Sequence, residues 1–149
     1  MSANKDLQII FTEKGVHLTS YRTLREHLPT WSQHNRALTM LSQSQCIKAG
    51  GFVFLAGQVP TDSQAKVVPG TITEKAHRMC QNTKLVLEAA GSSLEKVVKV
   101  TIYFEDLNDF DAVNKVFGEY FVSKPARTSV QVAKLPVGCP LEMDVTALA

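Results

Sequence analysis

A chain of 149 residues, 44% hydrophobic and 20% charged, is long enough for one compact core and too apolar for disorder to dominate. Its net charge of +2 arises within the first 45 residues, where Lys5, Lys14, Arg22, Arg25 and Arg36 outnumber Asp6, Glu13 and Glu26. The rest is balanced, which argues against nucleic acid as the main partner. Cys46, Cys80 and Cys139 form an odd set without metal-ligand spacing, so neither a disulfide framework nor a zinc site is expected. A reducing compartment, cytoplasmic or mitochondrial, is the default. No apolar run approaches the roughly 20 residues that span a bilayer.

Residues 1–42 differ in composition from the remainder of the chain. They are rich in Ser, Thr, His, Arg and Gln, with weak periodicity in Leu18, Tyr21, Leu24, Leu28 and Trp31, and read as an N-terminal extension. The Arg/Ser/Thr content favours a mitochondrial presequence, whereas Asp6, Glu13 and Glu26 oppose it; an appendage packed on the domain is the other reading. From Gln45 the pattern becomes regular, within a domain taken as residues 43–149. Cys46–Ala49 and Phe52–Gly57 flank Gly50-Gly51, which predicts a tight β-hairpin. Thr71 and Glu74 have capping-box spacing, and Ala76, Met79, Cys80, Thr83, Val86, Leu87 and Ala90 follow at helical intervals up to Gly91. Val97–Phe104 is β-branched and predicts a strand. A second helix begins near Asn108 or Asp109, carries Phe110, Val113, Phe117, Tyr120 and Phe121 on one stripe, and ends at Pro125. Ala126–Ala133 and Leu141–Ala147 predict two last strands, joined through a Leu135–Gly138 turn.

The resulting order is β-β-α-β-α-β-β, an α+β domain whose two helices cover one face of a mixed sheet. In Val97–Phe104 both alternating sets are largely apolar or β-branched, so the other face is expected to be buried against further copies of the chain.

The chemistry concentrates between Lys124 and Glu142. Arg127 opens one extended run and Glu142 lies in the next, so two neighbouring strands could present opposite charges to one pocket for a small carboxylate and a water. From residue types alone, a structural ion pair between them is the stronger reading. Ser129 lacks a His/Asp signature for a hydrolase triad. His17, His27 and His34 show no metal-binding pattern, and His77 lies among polar neighbours and is expected to be solvated.

Several segments resemble the RidA, or YjgF-like, family of enamine/imine deaminases. They are Ala56-Gly57-Gln58-Val59-Pro60, Asn82–Gly91, Val98–Thr101, Asp106–Phe110, Val113-Asn114, Tyr120-Phe121 and Pro125–Val130, in family order across residues 43–149, with wording closest to fungal members. The resemblance implies a chorismate-mutase-like fold, a homotrimer with sites at subunit borders, and no cofactor or metal. It implies hydrolysis of 2-aminoacrylate-like 2-imino acids to 2-keto acids and ammonia. It also assigns Arg127 to substrate binding, Glu142 to orienting water, and Gly57, Gln58 and Asn114 to the site, although by residue type Asn114 serves equally as a structural hydrogen-bond donor and Gly57 and Gln58 are better read as shaping the strand end. With the motif in view, the functional reading of Arg127 outweighs the ion pair.

A guanidinium matches a carboxylate with two parallel N–H donors, which a lysine does not. A glutamate can take a proton from water at the imine carbon and return it to the departing nitrogen. Two departures from the family stand out. Gln43 occupies the slot of a pocket-lining tyrosine, which bears on substrate choice, and Ser129 replaces a common cysteine, a change compatible with hydrolysis that needs no covalent intermediate. The alternatives are a non-catalytic or specialised member that binds small carboxylates or ketones, for instance in a fungal biosynthetic pathway, and the RNA cleavage of some relatives, which the balanced charge opposes.

Overall fold

The computed structural model describes residues 8–10 and 44–149. Strands β1 (Gln8–Ile10), β2 (Cys46–Ala49) and β3 (Phe52–Leu55) precede helix α1 (Ile72–Ala89) and strand β4 (Val97–Phe104). Helix α2 (Phe110–Tyr120), β5 (Ala126–Gln131) and β6 (Leu141–Leu148) come after them. The expected succession is present, with β1 as a strand not anticipated from the sequence.

Local chemistry accounts for the boundaries. Gly50 and Gly51 have φ of 58° and 81°, so Ala49 pairs with Phe52 across a two-residue turn that side-chain-bearing residues adopt only with strain. At the start of α1, Glu74 N–H donates to the Thr71 hydroxyl at 3.3 Å and the Thr71 N–H donates to the Glu74 carboxylate at 2.7 Å, closing the capping box. At its end, Ser92 N–H reaches Leu87 O and Gly91 N–H reaches Glu88 O, both at 2.9 Å, with Gly91 left-handed at φ 73°. That pair of bonds satisfies the last carbonyls.

All six strands form one sheet in the order β1-β2-β3-β6-β4-β5, with only β4 and β5 parallel. Val53, Leu55, Val100, Ile102, Phe104, Leu141, Met143 and Val145 face the helices, and Met79, Leu87, Val113, Val116 and Phe117 close over them in a single core. Each such side chain stabilises the fold by about 1.5–3 kcal/mol relative to exposure. The opposite sheet face has no such cover among the described residues: Phe54 and Leu148 are each 45% exposed, and Phe52 and Val130 are exposed as well.

One expectation is corrected. β5 and β6 are not neighbours, because the α2 crossover lays β5 parallel against β4 and β6 inserts between β3 and β4. A strand and its parallel partner need such a crossover, and it moves Arg127 a full strand away from β6. Strand β5 also stops at Gln131, and α2 starts at Phe110 after a 3-10 turn over Leu107–Asp109.

Candidate functional site

Arg127 is paired in register with Val100, whose side chain is in the core, so it leaves the sheet on the helix side. There its Nη1 donates to Asn114 Oδ1 at 2.8 Å, and its guanidinium carbon sits 4.7 Å from the Phe117 ring centroid and 5.3 Å from that of Phe110. Two aromatic faces and one amide thus hold the cation, with ring contacts worth roughly 0.5–2 kcal/mol each according to solvation. Among the described residues the ion pair present is Lys84 with Glu88, and Arg127 has no carboxylate partner. A cavity of about 350 Å³ opens beside it, lined by Asn114, Phe117, Gly118, Pro125 and Arg127. The aromatic stripe of α2 therefore serves the core and the cation together, a second role that helical periodicity does not reveal.

Glu142 is paired in register with Tyr103 and flanked in sequence by the buried Leu141 and Met143, so it belongs to the opposite sheet face. Burial, then the neighbouring Asp144, raises its carboxyl above the usual range. Asp144 itself accepts the Tyr103 hydroxyl at 2.8 Å. Gly57 lies directly under the carboxylate: a Cβ at position 57 would overlap the Glu142 side chain. Gln58 exchanges backbone hydrogen bonds with Met143 at 2.8 and 2.9 Å, which fixes the strand end, and its side-chain amide donates to Ala56 O. Gly57, Gln58 and Glu142 line a second cavity of about 230 Å³, to which Ser44 and Gln45 also contribute.

The candidate residues therefore separate into two groups. Arg127 and Asn114 share one cavity, while Gly57, Gln58 and Glu142 share the other. Ser129 lies two residues beyond Arg127 on the same side of β5, and its buried hydroxyl has no partner. Gln43 and the 1–42 extension, β1 excepted, lie outside the described residues. The Arg127–Glu142 ion pair is not formed, since the two side chains occupy opposite faces. His77 differs from its solvated expectation: its Nδ1 is 3.3 Å from the Tyr120 hydroxyl, and the two rings meet edge-on between α1 and α2. Cys139 is buried, and burial followed by the charge of Glu142 pushes its thiol up to about 11. Among the described residues no cluster of three metal-ligating side chains occurs, and no helix is long and apolar enough to cross a membrane.

Among the described residues, the α+β domain carries the Arg127 group and the Glu142 group at separate cavities. The Endoribonuclease L-PSP family model matches residues 34–149, and the chain belongs to that family, which includes the YjgF, RidA and RutC proteins. A RutC family protein of Pyrococcus abyssi is 50% identical over 106 residues, covering 70% of this chain and 84% of the relative. The mitochondrial protein MMF1 of Saccharomyces cerevisiae is 43% identical over 108 residues, covering 72% of this chain and 74% of its own length. A crystal structure of yeast Mmf1 superposes with a TM-score of 0.78 at 34% identity, covering 95% of this chain and 98% of the other. RidA from an Antarctic Psychrobacter superposes at 0.75 with 30% identity, covering 95% and 99%.

Proposed function

We propose that this chain is a hydrolytic deaminase of 2-imino acids, working as a homotrimer whose sites form where the Arg127 side of one copy meets the Glu142 side of another. The observation that carries this reading is the division itself: a guanidinium without a carboxylate partner among the described residues and a carboxylate with a raised pKa, each at its own cavity, on opposite sheet faces. A second copy can bring the two together, and the exposed Phe52, Phe54, Val130 and Leu148 give the open face a reason to associate.

In such a site Arg127, held by Asn114, grips the substrate carboxylate through two N–H donors. Ionised Glu142 takes a proton from a water that adds to the C=N carbon. The tetrahedral adduct receives that proton on nitrogen; the proton of its new hydroxyl then passes through Glu142 to the amine, so ammonia leaves as the C=O of the 2-keto acid forms. Positioned proton transfer of this kind contributes roughly 10²–10⁴-fold. The enamine 2-aminoacrylate enters after tautomerising to its imine. Gly57 keeps the backbone beneath the carboxylate free of a side chain.

Keto-acid release from freshly generated 2-aminoacrylate tests the proposal. The wild-type chain accelerates it, and Arg127→Ala abolishes the acceleration; an unchanged rate in the variant removes the carboxylate clamp. Protein inactive on every imino acid but binding 2-keto acids would instead be a non-catalytic family member. The family description also names an endoribonuclease, a reading that the balanced charge of residues 46–149 does not favour.

A further inference from the structure

The geometry points to a contact between copies of the chain in which Val137 of one seats against Val122 of the next and seals the rim of the composite site; the inference rests on the two-copy deaminase reading above. Among the described residues Val122 and Val137 are the most exposed large hydrophobic side chains, at 68% and 67%. Each stands at a different half of the chemistry. Val122 lines the cavity of Arg127, and Val137 lines that of Glu142. A lone valine on a surface needs no explanation, whereas one at each of two cavities that have to meet does. When the Arg127 side of one copy closes on the Glu142 side of another, these two rims come together.

The backbone at Val137 supplies an independent reason. Cys139 N–H donates to Pro136 O at 3.1 Å, and the two residues inside that turn are both left-handed, Val137 at φ 49° and ψ 18° and Gly138 at φ 68°. Two successive positive φ angles are the geometry of a type I′ turn, whose central positions favour Asn, Asp or Gly and penalise a β-branched side chain. Val137 therefore works against its own turn, and with most of its surface exposed it recovers little inside the chain. A residue that conflicts with its backbone marks a place where function sets the choice. Leu135 and Cys139 are buried on either side, so the turn is anchored and holds the side chain outward as a fixed knob. Val122 is held as firmly: Phe121 before it is buried and stacks on Phe117 at 4.3 Å between centroids, and Phe117 carries the Arg127 guanidinium. An apolar contact at this junction sheds water, which strengthens the hold of Arg127 on a carboxylate.

The test oxidises the full-length double variant Val122→Cys/Val137→Cys with diamide and reads chain linkage on a non-reducing gel. Cys46, Cys80 and Cys139 are buried, so each single variant serves as a control. A disulfide forms only where the two Cβ atoms come within about 3.5–4.5 Å. The double variant is expected to give linked dimers and trimers, and the single variants none. Val137→Asn, which suits the turn, should keep cooperative unfolding yet weaken assembly about tenfold or more on dilution, followed by light scattering, as the loss of an interface anchor does. Imine turnover should fall in step. Absence of linkage, a disulfide closed within one chain, or unchanged assembly of Val137→Asn each overturns the contact, and a wild type that still hydrolyses imines then keeps the deaminase reading. Linked chains that turn over no imine keep the contact and overturn the deaminase. A wild-type chain that is monomeric at every concentration overturns both the contact and the composite site.

Discussion

Gly57 and Glu142 are in such close approach that any side chain at position 57 would occupy the space of the Glu142 carboxylate. The glycine is thus explained by its neighbour across the sheet and not by its own backbone angles, and the carboxylate's position depends on a missing methyl group. Gly57→Ala is expected to lower kcat on imines about 10²-fold, the scale of an ångström-sized misplacement, while thermal unfolding stays cooperative. Wild-type kcat in that variant would separate Glu142 from the chemistry.

Arg127 rests between Phe110, Phe117 and Asn114, contacts that suit a flat guanidinium. Arg127→Lys keeps the charge but loses the fork and the stacking, so it should raise KM at least about tenfold. Asn114→Ala removes one hydrogen bond to the cation and should cost less than Arg127→Ala, checked by comparing kcat/KM across the three variants.

Burial and Asp144 raise the Glu142 carboxyl, so the ionised base appears at higher pH than for an ordinary glutamate. The acid limb of the kcat/KM profile should lie above the usual carboxylate range, and Asp144→Asn should move it to lower pH by removing the like charge. The linked stability has a matching sign. A raised folded pKa means the native state binds the extra proton, so this contribution is full below the unfolded pKa and is lost as pH rises through the folded one. A profile that Asp144→Asn leaves unmoved would exclude the coupling.

If the two half-sites belong to different copies, inactive proteins can complement each other. Arg127→Ala and Glu142→Gln, each inactive alone, should regain roughly a quarter of wild-type activity when unfolded together and reassembled at equal amounts, by random pairing in a closed ring. No recovery on mixing would place both residues in one copy's site. Phe54→Asp, on the exposed sheet face, should shift the assembly to a smaller species by light scattering and remove activity with it.

Thr71→Ala breaks the capping box of α1 and should destabilise the fold by about 1 kcal/mol in denaturant titrations, without altering substrate preference.

Sequence by itself determined the elements from β2 onward, because their signals are local: paired glycines for the hairpin, Thr71 with Glu74 for the start of α1, Gly91 for its end, and the β-branched run Val97–Phe104 for β4. It also singled out Arg127, Glu142, Gly57 and Asn114, through the motifs that resemble the family. Tertiary structure alone decided which residues share a cavity. Strand neighbours depend on a crossover over α2 and on β6 entering between β3 and β4, long-range choices that no short-range pattern encodes. Those choices put Arg127 and Glu142, expected to pair, on opposite sheet faces at two separate cavities. They also gave Phe110 and Phe117 a second task as a seat for the guanidinium. A side chain's partners are set by three-dimensional packing, whereas its strand or helix is set largely by its neighbours in the chain.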